Sequence, residues 1–168
     1  VLFQRLSGSN GFTVAIDATT AAASSGSITM LVSSGSEGSS EKGVLFMSAS
    51  MELSKGDFQH VCLTYDPSPG VNRLKLYRNF KLQTTSSKVE MGAFGYSNAA
   101  MFIGSGSNHP YGEFDGSTGL SFSQTFSGSI DELRVYHETR SGKEQKKYSK
   151  QNVYPSEKLK LYYKFNEP

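Results

Sequence analysis

Between Gly56 and Leu82 the chain reads GDFQHVCLTYDPSPGVNRLKLYRNFKL, and this stretch restricts its fold more than any other. Val61, Leu63 and Tyr65 alternate with His60, Cys62 and Thr64, the period-2 pattern of a pleated strand. Pro67, Pro69 and Gly70 then block both strand and helix, so the chain turns there. In the run that follows, Leu74, Leu76 and Tyr77 are set among Arg73, Lys75 and Arg78, with one face dry and one wet for most of its length. The stretch is an antiparallel hairpin.

The rest of the chain carries the same kind of signal. Val1 to Leu6 reads as a short strand, and Phe12, Val14 and Ile16 alternate with Thr13, Ala15 and Asp17 in a second. Ala18 to Ser27 is a loop of small residues. Ile28 to Val32 and Val44 to Leu53 are strands on either side of a Gly/Ser loop, and Ala99 to Gly104 is a short buried strand. In Phe126 to His137, Ile130, Glu132, Arg134 and Tyr136 share one face of a strand while Asp131, Leu133 and Val135 share the other. Ser141-Gly142-Lys143-Glu144 has capping-box form and starts a short polar helix over 141–150. Leu159 to Phe165 is a last strand, which either closes the domain or opens a following copy. Seventeen Gly and 12% aromatic residues in a chain of 168 suit one all-β domain of short strands and many turns. No apolar run approaches the roughly 20 residues that span a bilayer. The abrupt start at Val1, in mid-strand, points to a domain cut from something longer.

Two stretches resemble the signatures of the laminin G-like (concanavalin A-like lectin/glucanase) jelly-roll domains. In the hairpin the matching residues are Phe58, His60, Val61, Thr64, Tyr65, Asp66, Leu76, Tyr77 and Asn79. The closing signature is matched by Phe126, Gly128, Ile130, Asp131, Glu132, Arg134 and Tyr136. The resemblance implies an all-β jelly-roll sandwich of two antiparallel sheets over 1–168, with one short C-terminal helix. Three departures stand out. Phe58 replaces the family's Trp, Asp17 falls where another Trp would be buried, and Phe80 follows Asn79 where the family has Gly. A buried carboxylate needs partners or a strand end. A side chain at Phe80 disfavours a positive φ, which points to a different turn type.

One branch of this family hydrolyses β-glucans with carboxylates on one strand face, about 5–5.5 Å apart. Glu113-Phe114-Asp115 begins such a motif, but Thr118 and Gly119 occupy the third position. Asp131 and Glu132 would point to opposite faces of a regular strand. No zinc spacing links His60, His109 and His137, Cys62 is the only cysteine, and no phosphate-binding or nucleic-acid pattern occurs. His60 and Cys62 read as structural residues. The chain is therefore read as non-catalytic.

The loop Ser105 to Ser123 is longer than the dozen or so residues usual in compact domains, and such loops are often functional. Tyr111 and Phe114 can stack on a sugar face, and Asn108, His109, Glu113 and Asp115 can bind hydroxyls. The family resemblance also implies a structural calcium on Asp131, completed by carbonyls of the Ser9-Asn10-Gly11 turn. An acceptor role toward backbone N–H groups or Arg134 is the alternative for Asp131. Residues 140–164 hold eight basic side chains against Glu144 and Glu157, which sets +6 there against −4 elsewhere. Such a basic end either steers a sulfated polyanion or is a solvated helix beside a lysine-guarded edge strand. The resulting expectation is a lectin-like module of a secreted or cell-surface protein. It binds a glycan through loop 105–119, not through the basic segment, without nucleic acid or membrane insertion. A protein-interaction, adhesion or spacer domain is the alternative.

Overall fold

The computed structural model describes residues 1–8, 10–17, 24–34, 43–52, 57–68, 71, 73–88, 98–109, 125–149, 151 and 153–165. A five-stranded antiparallel sheet is built from β1 (Phe3–Ser7), β2 (Asn10–Asp17), β3 (Ser25–Ser34), β4 (Gly43–Glu52) and β8 (Met101–Ile103), in the order β4-β3-β2-β1-β8. β5 (Val61–Asp66), β6 (Arg73–Arg78) and β7 (Lys81–Thr85) form a three-stranded sheet, and β9 (Leu133–Tyr136) pairs with β10 (Leu159–Tyr163). The single described helix is α1 (Gly142–Tyr148).

The two larger sheets face each other across one core. Val14, Ile28, Met30, Val32, Leu45 and Met47 from the five-stranded sheet meet Leu74 and Leu76 of β6, with Val61, Leu63 and Tyr65 of β5 packed beside them. These are the alternate residues of each strand, as the hairpin pattern requires. Asp17 resolves its conflict by ending β2, where it is exposed. β3 begins at Ser25, inside the stretch that reads as a loop. Its small residues join the ladder because β4 runs as far as Glu52 and pairs with Ser25.

The turn after β6 corrects one expectation. Asn79 and Phe80 have φ of 47° and 67°, so the two-residue turn keeps the left-handed geometry of a tight hairpin despite the Phe. That geometry costs a residue with a Cβ about 1–2 kcal/mol. It is offset locally: the Asn79 amide donates to the His60 carbonyl at 2.8 Å, and the His60 amide donates to Asn79 Oδ1 at 3.1 Å. The Phe80 ring lies 4.4 Å from the His60 imidazole. His60 is thus part of the turn's support, with its pKa pushed down by burial and, secondarily, by the Arg134 charge. Cys62 is a partly buried thiol pushed up to about 11 by burial, against the opposing pull of Arg140.

The C-terminal part lies against the outer side of this hairpin sheet. A Cβ on Gly142 would sit 2.3 Å from the Phe80 carbonyl oxygen and 3.6 Å from Tyr77 Cδ1. α1 opens with the expected capping box: Ser141 Oγ accepts from the Glu144 amide, and the Glu144 carboxylate accepts from the Ser141 amide. The alternation over 130–136 does not run through as one strand, because Glu132 takes φ 54° and only Leu133–Tyr136 enter a ladder. β10 pairs back onto β9.

Candidate binding site

The register of the five-stranded sheet places Phe102, Gln4, Thr13, Leu31 and Phe46 in one row across its outer face. The middle of that row is sealed, with Gln4 1% exposed and Thr13 and Leu31 at 0%, while Phe102 and Phe46 at its ends stand half exposed. Part of the cover is the described start of the long loop after β8. Gly104 takes φ 77°, its amide donates to the Leu2 carbonyl at 2.7 Å, and Gly106 then passes so close that a Cβ would meet Gln4 Oε1 at 2.8 Å. Glycine takes the first step without strain and the second without crowding Gln4.

The carboxamide of Gln4 grips the loop as a strand neighbour would. Its Oε1 accepts from the Ser107 amide at 2.8 Å, and its Nε2 donates to the Ser107 carbonyl at 2.7 Å and to Thr13 Oγ1 at 2.8 Å. Thr13 Oγ1 also bonds His109 Nδ1 at 2.9 Å, and His109 Nε2 bonds Ser33 Oγ at 2.7 Å. Gln4, Thr13, Ser33 and His109 are all buried. Sealed polar groups this well bonded to one another favour one position for the segment, since moving it would break the Gln4–Ser107, Thr13–His109 and Ser33–His109 bonds together.

His109 is therefore a buried anchor, whereas the sequence places it among solvent-facing ligand contacts. Its neighbour Asn108 is exposed. Tyr111, Glu113, Phe114 and Asp115 lie outside the described residues. Gln4, Thr13 and Ser33 carry no local sign of this role. Their one signal is alternation, which sets Gln4 opposite the core-facing Phe3 and Thr13 opposite Val14.

Asp131 is exposed and precedes β9. Among the described residues no group of three or more His, Cys, Asp or Glu side chains is placed to hold a metal. Asn10 Oδ1 and Ser34 Oγ are buried oxygens without a hydrogen-bond partner, one residue beyond the Gly11–Ser33 pair of β2 and β3. They are the hard, neutral donors that Ca²⁺ accepts, but they fall short of the six to eight oxygens it takes. The described donors do not by themselves make a calcium site.

Glu132, beside Asp131, is tied down on three counts. Both its carboxylate oxygens accept from Tyr162 Oη, and Oε2 accepts from Arg134 Nη2 as well. Burial acts to raise its pKa, but the bonds from Arg134 and Tyr162 and the charges of Arg134 and Lys164 outweigh it, and the carboxyl is held below its usual range. A carboxylate in that state is a poor proton donor, unlike the raised acid of a glycosidase.

Antiparallel sheets packed face to face across one core form the β-sandwich of a lectin-like or laminin G-like module. The chain belongs to the concanavalin A-like lectin/glucanases superfamily, whose family model matches residues 1–144. Searches of curated proteins and of solved structures returned no match. Among the described residues no helix is long and apolar enough to cross a membrane.

Proposed function

We propose that this domain is a non-catalytic carbohydrate-binding module of a secreted or cell-surface protein, with its glycan contacts in loop 105–119. The supporting observation is the anchor of that loop. Four buried polar side chains fix its first residues to the sheet, and binding residues tend to sit on loops positioned by a rigid scaffold. Asn108, Tyr111, Glu113, Phe114 and Asp115 are the proposed contacts, and His109 holds the loop root in place. A glycan array on the folded domain, followed by Tyr111→Ala and Phe114→Ala, tests this. A folded domain that retains no glycan above background would overturn it. Calcium on Asp131, with backbone carbonyls of the 9–11 turn, belongs to the same proposal and has its own test below.

A second reading, a protein-interaction domain without a glycan ligand, draws on Phe46 and Phe102. Both are half exposed on the outer face of the same sheet, and exposed aromatic groups are common at interfaces.

A further inference from the structure

We propose that the groove between β9, α1 and residues 151, 153, 154 and 156 is a second binding site, one that takes an oxyanion-bearing sugar, either carboxylated or sulfated. The sugar identity rests on the glycan-binding reading above, whereas the groove and its preference for an oxyanion rest on the geometry alone. The groove is a shallow depression of about 430 Å³, open to solvent, between Arg134, Tyr136, Arg140, Tyr148, Gln151 and Tyr154.

Its cationic wall is held in place by aromatic rings. The Arg140 guanidinium carbon lies 3.6 Å from the Tyr136 ring centroid and 5.2 Å from that of Tyr148, so the planar fork is fixed before any ligand arrives. Its Nε and Nη2 share a single oxygen of Glu138, at 3.2 and 3.0 Å. This surface pair is weak enough for a bidentate oxyanion to displace. Arg134 donates through Nη1 to the Tyr148 carbonyl and through Nη2 to Glu132, while its Nε is buried with no partner. Arg134 is thus committed to the protein, which leaves Arg140 as the cation that a ligand in the groove can engage. Tyr154, 76% exposed on the rim, supplies a flat face on which a pyranose ring can stack.

The lysines around the groove have a lesser role. Lys143, Lys146, Lys147 and Lys158 are exposed and raise the local potential, which speeds the arrival of an anion. Specificity comes from the stacked arginine and the tyrosines.

The test titrates the intact domain with four probes: a galacturonic acid hexasaccharide, a heparin-derived hexasaccharide, a neutral glucose hexasaccharide and a poly-glutamate peptide. At least one of the two acidic sugars should bind, and which one does identifies carboxylate or sulfate as the group recognised. Tyr154→Ala and Arg140→Lys should each weaken that binding tenfold or more. A triple Lys143→Gln, Lys146→Gln, Lys147→Gln variant should weaken it less than threefold at physiological salt. Tyr154 is too exposed for its truncation to unfold the domain, so this variant still reports if Arg140→Lys loses its fold. The proposal is overturned if neither acidic sugar binds, if only poly-glutamate does, or if the triple lysine variant loses binding while Tyr154→Ala keeps it. Loss of acidic-sugar binding in Tyr111→Ala instead would also overturn it and return the site to loop 105–119. Neutral-sugar binding alone sinks this inference and leaves the glycan-binding reading intact.

Discussion

Gln4 and Ser107 are 103 positions apart in the chain, yet the Gln4 carboxamide pairs with both the amide and the carbonyl of Ser107. A strand residue thereby reaches out of its sheet and supplies the ladder bonds that the loop's backbone lacks. Gln4→Leu should destabilise the domain, because it removes both bonds to the Ser107 backbone and the bond to Thr13, which keeps only its contact with His109, at about 0.5–1.5 kcal/mol for each lost bond. Urea unfolding should show a loss of about 1 kcal/mol or more. A change under about 0.5 kcal/mol, the usual range of a surface substitution, would mean that water replaces these bonds and that the loop is not anchored here.

The packing of α1 on the β6–β7 turn sets two effects against each other at Gly142. Helix propensity favours Ala over Gly by about 1 kcal/mol. A Cβ there would lie 2.3 Å from the Phe80 carbonyl oxygen, and a backbone carbonyl cannot swing aside as a flexible side chain can. Contact wins over propensity, so Gly142→Ala should lower the melting temperature. If it raises it, α1 is not seated on the turn as described.

These two contacts also mark how far sequence alone could reach. Alternation in β5 and β6 was enough to find the hairpin, and the Ser141–Glu144 spacing to find the helix start, because both signals are local. β7 could not be read in the same way: Lys81–Thr85 is polar and largely exposed. It becomes a strand because the Asn79–Phe80 turn folds it back onto β6. Glu132 hides a similar break, since its motif looks continuous while its φ of 54° ends the ladder. The loop anchor is the extreme case. Gln4, Thr13, Ser33 and His109 are unremarkable polar residues until the fold brings together positions as distant as 4 and 109.

His60 gives the domain a pH dependence of definite sign. Its folded pKa is pushed below the ordinary value near 6.5 by burial, then by Arg134. Between the folded and the ordinary value the unfolded chain binds more protons, so stability rises with pH there. The contribution is complete above about pH 6.5 and is lost as pH falls through the folded pKa. Melting temperatures from pH 8 to pH 5 should therefore drop more steeply for the wild type than for His60→Gln. Glu132 and Glu144, both with lowered pKa values, contribute stability that fades in a more acidic window, as pH falls below the ordinary carboxylate value near 4.3. Parallel curves for the two proteins above pH 5 would show that His60 is solvated in the folded state.

The proposed calcium at Asp131 separates from these effects by its ligand dependence. A cation that binds only the native state adds RT ln(1 + [L]/Kd), about 2.7 kcal/mol at a hundredfold excess over Kd. Calcium should raise the melting temperature of the metal-stripped wild type and leave that of Asp131→Asn where it was. Identical melts in calcium and in chelator would remove the metal from this domain.

The proposed glycan site in loop 105–119 and a polyanion on the exposed lysines make opposite demands on salt. A neutral sugar stacked on Tyr111 or Phe114 is held largely by apolar burial, at about 25 cal/mol per Å², and ions hardly affect it. Exposed lysines act through charge, which physiological salt screens within about 8 Å. Against the best neutral glycan from an array, Tyr111→Ala and Phe114→Ala should each cost most of the affinity at low and high salt alike. A Lys143, Lys146, Lys147, Lys150→Gln variant should bind it as the wild type does. If instead only the lysine variant loses binding, and wild-type affinity collapses between low and high salt, exposed charge holds the ligand and the assignment to loop 105–119 fails.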